Sequence, residues 1–332
     1  MPAVIAPPDT DRSRGVRLDV VVPVWNEQAV LGLLFDRLGQ VFSAAACQAR
    51  GLLGVRYLLV DDGSQDASAE LVAERIRAGA PATLLRLSRN FGHQSAVSAG
   101  LDHADADLVA VIDADLQDPP ELLLDMLARW REGFDIVYGV RRRRTEGPLR
   151  RAGYWTFYRL VAFLSDIKIP LDGGDFCLMD ARVVRVLRSL PEKLRFPRGL
   201  RAWVGFRQTG VEYDRPPRRA GSSKYSLTRL YKLATDGVIS SSVRPLQVAQ
   251  VASVGYLLLI GALAVLLLLR PPQLDLPPWV LVAYLLILSG NFVQALCIYI
   301  LGAYLGRTYL EVKGRPAYVV MEVVAARRQA GG

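Results

Sequence analysis

Histidine and cysteine are scarce: the 332-residue chain holds two histidines, His93 and His103, and three cysteines, Cys47, Cys177 and Cys297. The cysteines are scattered and odd in number, which excludes a self-contained disulfide framework, and none has zinc-ligand spacing. They read as small buried hydrophobes of a reducing compartment. No Gly-x-Gly-x-x-Gly follows a strand and no Walker A pattern occurs, which argues against dinucleotide and P-loop phosphate binding. Surface aromatics interleaved with basic residues, the platform on which bases stack, are missing too, so nucleic acid is not the expected partner. The first 15 residues hold Pro, Asp and Arg but no apolar h-region, so residues 1–16 read as a disordered tail, not a signal peptide. That leaves the domain behind them in the cytosol. No internal repeat or low-complexity tract stands out.

What is present is charge of one sign and apolar length. The formal charge is +9 and 51% of the residues are hydrophobic. An anionic partner is expected, whether nucleic acid, a lipid surface or a phosphorylated substrate, and charge alone does not choose. Short runs of Val, Ile and Leu at 18–22, 57–60, 82–87, 108–112 and 136–138 alternate with amphipathic stretches at 27–42, 67–78, 94–104 and 119–132. Runs of this length bounded by turn residues predict strands of a parallel sheet buried on both faces, and the alternation predicts a doubly wound α/β domain. Pro119 or Pro120 suits a helix first turn, where a missing N–H costs nothing.

Past residue 140 the character changes. Residues 141–151 contain six arginines and one glutamate, and residues 195–232 contain ten basic residues against Glu212 and Asp214. Two uncharged stretches follow, 25 residues at 245–269 and 31 at 276–306. About 20 helical residues cross a bilayer core, so each predicts a membrane span and the short proline-bearing connector predicts a hairpin. Ser289, Asn291 and Gln294 fall mid-span, where polar side chains usually face another helix of the hairpin or of a second protomer. Lys and Arg before the first span and after the second put both termini in the cytoplasm. The expected organisation is a disordered tail (1–16), an α/β domain (17–225), an interfacial amphipathic helix (226–244), two spans (245–306) and a cytoplasmic tail (307–332). Arg201, Arg229 and Lys232 are expected only to attract anionic lipid.

Four polar clusters stand at the carboxyl ends of predicted strands, where open parallel sheets bind ligands. They are Pro23-Val24-Trp25-Asn26-Glu27, Asp61-Asp62-Gly63-Ser64, Arg89-Asn90-Phe91-Gly92-His93 and Asp113-Ala114-Asp115-Leu116-Gln117-Asp118. In an extended segment Asp113, Asp115 and Gln117 point to one side, and three hard oxygen donors suit Mg²⁺ or Mn²⁺ shared with substrate phosphates. Asp118 suits a helix cap. Asp62 can accept from the imide N–H of a uracil ring and Glu27 from a ribose or base donor. His93 suits either a phosphate contact or a helix cap.

These clusters, with Gly174-Asp175-Phe176-Cys177-Leu178-Met179-Asp180, Trp203-Val204-Gly205-Phe206 and Tyr213-x-Arg215-x-x-Arg218-x-x-Gly221-x-x-Lys224-Tyr225, resemble glycosyltransferase family 2. Within it the chain is similar to the dolichol-phosphate mannosyltransferase and bactoprenol glucosyltransferase branch, over about residues 18–310. The resemblance implies a GT-A fold, Rossmann-like with a mostly parallel sheet, and inverting transfer from a nucleotide-sugar to a polyprenyl phosphate. It implies that Pro23, Val24, Glu27 and Asp62 hold the nucleotide, and that Asp113, Asp115 and Gln117 serve the metal and diphosphate. Arg141 would reach the donor phosphates, Asp175 would orient the sugar or act as base, and Arg215, Arg218 and Lys224 would bind the acceptor phosphate. Two-span relatives suggest a homo-oligomer. Cys177 departs from the pattern, since relatives often carry arginine there.

A phosphate monoester is about doubly charged at neutral pH, so such an acceptor needs no strong base, whereas a sugar hydroxyl does. A polysaccharide-extending enzyme of the same family would want that base and usually more spans. A basic membrane adaptor without activity would leave Asp113, Asp115 and Gln117 unexplained.

Overall fold

The computed structural model describes residues 10–142, 173–193, 195–214, 244–268 and 277–325. These residues fall into two compact units, one built on a sheet and one on two long helices.

The expected apolar runs form β1 (Val16–Val24), β2 (Leu52–Asp61), β3 (Ala82–Leu87), β4 (Leu108–Val111) and β5 (Ile136–Arg141). Between them lie α1 (Gln28–Val41), α2 (Ala44–Ala49), α3 (Ser68–Arg77), α4 (His93–His103) and α5 (Leu122–Arg131). β1 to β4 run parallel, with Val22 opposite Leu59 and Val21 opposite Val111. Along β1 the side chains divide between two cores. Val20, Val22 and Val24 join Leu34, Val72, Leu123 and Trp130, while Val21 joins Leu58, Val97 and Val183 on the opposite face. Burial on both faces explains the unbroken apolar runs, since neither set of side chains meets water; each fully buried Val or Leu contributes roughly 1.5–3 kcal/mol.

Three more strands complete the sheet. β6 (Gly173–Asp180) runs antiparallel between β4 and β5, β7 (Gln208–Tyr213) runs parallel to β5, and β8 (Val320–Ala325) runs antiparallel to β3. The strand order is β7-β5-β6-β4-β1-β2-β3-β8. After β6, α6 (Ala181–Ser189) begins on an Asp180 cap, and α7 (Pro197–Trp203) follows.

The chain termini and the acidic loop differ from expectation. Residues 10–12, read as disordered tail, are anchored: Thr10 donates to Asp180 Oδ1 at 2.8 Å and Arg12 pairs with Asp135 at 2.6 Å beneath the Trp130 ring. Buried Asp135 takes two cations, Arg182 of α6 and Arg12, and the second holds the segment down. Val320–Ala325, read as part of a cytoplasmic tail, is an edge strand of the sheet. α5 begins at Leu122, because the Pro119 and Pro120 carbonyls accept from Leu122 and Leu123 in a preceding turn, each at 3.1 Å.

The second unit holds α8 (Arg244–Leu268) and α9 (Pro277–Val312). They pack together where Tyr256 Oη donates to the Leu286 carbonyl and its ring lies against Gly290. Ser289, Asn291 and Gln294 stay exposed instead of facing α8, and Ser289 bonds back to Leu286 O at 2.9 Å. Val251, Leu257, Phe292 and Leu305 are exposed as well, an apolar exterior unlike that of a water-facing helix pair. Among the described residues one helix, over Leu286–Val312, is long and apolar enough to cross a membrane, and α8 carries a shorter apolar run at Ala249–Ala262. Residues 226–243 of the expected interfacial helix lie outside the described residues.

Candidate active site

Because β1 to β4 are parallel, their carboxyl ends share one rim, and hydrogen bonds join the first three clusters there in series. Asp62 N–H donates to Val24 O at 2.8 Å, and Asn26 N–H donates to Ser64 Oγ at 3.0 Å. Asn26 itself is left-handed at φ 53°, a region Asn tolerates better than most residues. Its Oδ1 accepts from Gln65 N–H at 2.8 Å, and Glu27 N–H donates to Ser68 Oγ at 2.9 Å. Gly63 has φ 66°, and a Cβ there would stand 2.5 Å from the Arg89 carbonyl carbon, so the second and third clusters approach this closely only over glycine. Pro23 and Val24 are buried in β1 and can offer a ligand only their backbone. Glu27 is half-buried at the rim.

Asp62 has a task the sequence did not signal. Its two carboxylate oxygens accept from the Phe91 and Gly92 N–H groups at 2.7 and 2.9 Å, holding the turn into α4. Burial pushes its pKa up against the pull of those two donors. Each oxygen keeps a further lone pair for a base N–H.

In the fourth cluster Asp113, Asp115 and Gln117 are half-buried while Ala114, Leu116 and Asp118 are buried, the expected alternation. It does not come from an extended segment. Leu116 is left-handed at φ 58°, and Gln117 N–H donates to Asp115 Oδ1 at 3.1 Å, so the loop turns. A non-glycine held there stores strain of order 1–3 kcal/mol. Burial and the carboxylates of Asp118, Asp175 and Asp115 push the Asp113 carboxyl up to about 6, against the pull of His93. This excess of negative charge fits a divalent cation. Carboxylates of Asp113 and Asp115 with the Gln117 amide are hard oxygen donors that suit a cation sharing its shell with water and substrate oxygens. Asp118 is not a helix cap: it is 1% exposed and accepts from Tyr213 Oη.

Asp175, on β6, is the hub of the rim. Arg198 on α7 forks onto both oxygens at 3.4 Å, Gln94 Nε2 donates at 3.4 Å, and His93 Nε2 stands 3.4 Å away. Burial opposes ionisation, but Arg198, His93 and Arg201 outweigh it and hold the carboxyl well below the usual range. Burial likewise opposes charge on His93, yet the hydrogen bond to Asp175 and the fields of Asp113 and Asp175 raise its pKa to about 9. Arg141, at the end of β5, donates through Nε to Tyr213 Oη at 3.3 Å.

Arg198, Gln94 and Tyr213 were not among the expected site residues, and Arg201 was expected only to attract lipid. Arg201 is instead 3% exposed, donating to Gly174 O at 3.2 Å and lying 5.3 Å over the Tyr138 ring. The one available signal was spacing, since residues three apart share a helix face. Cys177 is buried on β6, as its apolar reading required, and burial pushes its thiol up. Arg215, Arg218 and Lys224 lie outside the described residues.

The model of glycosyl transferase family 2 matches residues 19–188. An uncharacterized glycosyltransferase of Bacillus subtilis is 40% identical over 317 residues, 93% of this chain and 95% of its own. Another, of Synechocystis, is 40% identical over 314 residues, 93% of this chain and 96% of its own. A prophage-derived bactoprenol glucosyl transferase of Shigella flexneri is 35% identical over 311 residues, covering 92% and 97%.

Proposed function

Because the chain belongs to glycosyl transferase family 2 and is a glycosyltransferase, we propose that it moves a sugar from a nucleotide-sugar, UDP-linked before GDP-linked, to a polyprenyl phosphate at the cytoplasmic face of a membrane. The observation that carries the acceptor class is Asp175. A hydroxyl acceptor needs a base that will take its proton, and a carboxylate held by Arg198, His93 and Gln94 is too weak a base. A phosphate monoester arrives already anionic. Its oxygen lone pair forms the new bond to the anomeric carbon, the old carbon–oxygen bond leaves its electrons on the nucleoside diphosphate, and no proton is transferred. Attack opposite the leaving group inverts the centre. The relative named for bactoprenol supports the same class.

The chain's own residues divide the work. Pro23, Val24, Glu27 and Asp62 line the nucleotide end, the first two through their backbone. Asp113 sits against the diphosphate, and Arg141 meets its oxygens as a preorganised charge. Asp115 and Gln117 would hold Mg²⁺ or Mn²⁺, which supplies charge neutralisation for the departing diphosphate. Asp175, fixed by its cations, orients the sugar. Arg215, Arg218 and Lys224 bind the acceptor phosphate. The two long helices form a membrane hairpin with both ends in the cytoplasm, and the exposed Ser289, Asn291 and Gln294 support self-association through α9.

Membranes containing the protein, a short polyprenyl phosphate and a panel of nucleotide-sugars with Mg²⁺ or Mn²⁺ should yield one glycolipid whose mass identifies the sugar. Transfer onto free oligosaccharide with none onto polyprenyl phosphate would overturn the acceptor class.

A further inference from the structure

We propose that Tyr213 is a positioning residue that locks the Arg141 guanidinium to the acidic loop, so that the two charged walls around a nucleoside diphosphate keep a fixed spacing. The inference rests on the donor-phosphate reading of Arg141 and adds the device that makes it work.

A phenol has one proton to give and lone pairs to receive, and both sides of Tyr213 are used. Its hydroxyl donates to Asp118 Oδ1 and accepts from Arg141 Nε at 3.3 Å. Asp118 is 1% exposed and Tyr213 is 6% exposed, so water does not compete for the bond between them. Asp118 directly follows Gln117, and Arg141 ends β5, so one hydroxyl ties the loop after β4 to the end of β5. The ring is set independently of these bonds. It packs edge-on to Phe176 with centroids 5.7 Å apart and lies against Gly139, where a Cβ would meet it at 2.8 Å. The Tyr213 carbonyl accepts from Arg142 N–H at 3.0 Å, which clamps the ends of β5 and β7 together.

Arg141 and Asp118 do not pair closely: their nearest charged atoms are 4.0 Å apart. Without the hydroxyl, the guanidinium would keep its charge but lose its aim. With Nε committed to Tyr213, its terminal nitrogens make no hydrogen bond among the described residues, and the side chain is 31% exposed. That is the state a phosphate-binding fork requires.

The test uses the full-length protein in detergent with Mn²⁺, and measures binding of UDP, GDP and uridine by calorimetry. Tyr213→Phe should weaken binding of the preferred diphosphate about tenfold, the cost of one hydrogen bond to a charged group, and leave uridine binding unchanged. Arg141→Ala should weaken it at least as much, and Tyr213→Phe added to Arg141→Ala should cost nothing more. Full additivity in that double variant, or equal loss of uridine binding, would overturn the relay while leaving the donor reading intact. Undiminished diphosphate binding in Arg141→Ala would sink the donor-phosphate reading itself, as would an unmodified protein that binds neither UDP nor GDP.

Discussion

At Asp115 chemistry and folding can be separated, because asparagine keeps the shape of the side chain and an oxygen that still accepts from Gln117 N–H. Asp115→Asn should therefore reduce transfer by about a hundredfold or more and leave the unfolding midpoint in place; full activity would remove Asp115 from the cation site. His93 gives a pH-dependent signature. Its folded pKa, about 9, lies above the ordinary histidine value of 6.5, so its charged form favours the fold. That stability is fully present below about pH 6.5 and is lost as pH rises through about 9. The stability gap between the unmodified protein and His93→Gln, read from urea midpoints, should be widest at pH 6 and close toward pH 9.5. A gap that stays constant across that range would contradict the charge assigned to His93. Both residues were legible as candidates, because polar side chains stood where apolar strands ended. Asp175 was legible only by family resemblance, and its pairing with His93, Gln94 and Arg198 was not, since α4 brings the first two to it and α7 the third.

At the scale of elements, the strands from β1 to β5 could be read because two-sided burial leaves unbroken apolar runs. β6 to β8 could not. Gly173-Gly174-Asp175 opens β6 with residues that usually mark turns, and Gln208–Tyr213 and Val320–Ala325 mix polar and apolar positions, as edge strands do. Their place depends on partners far away in the chain. α7 shows the same limit: its arginines looked like a solvated basic stretch, yet one of them is interior. Arg201→Ala should destabilise the protein by about 2 kcal/mol, because it leaves the Gly174 carbonyl without its donor in a buried site. It should also slow transfer by loosening the strand that carries Asp175, while vesicle binding stays the same. Lost vesicle binding at unchanged stability would restore the lipid-only role.

On the scale of the whole chain, the proposed hairpin predicts which residues meet which side of the membrane. A cysteine placed in the connector as Gln273→Cys should react with a membrane-impermeant thiol reagent from outside intact cells, and one placed near the carboxyl terminus should not. Labelling of the connector only after lysis would overturn the topology. Composition and pattern by themselves determined the doubly wound core, the rim on which four polar clusters meet, the cationic balance and the two long apolar stretches. Each of these follows from local periodicity, which every short window of residues carries. Only the tertiary structure decided that Asp62 holds a turn, that Asp118 faces Tyr213, that Arg201 is buried and that the segment after α9 returns to the sheet as β8. Those outcomes turn on pairing between residues tens to hundreds of positions apart, where burial decides which charges must find a partner, and no local pattern records that choice.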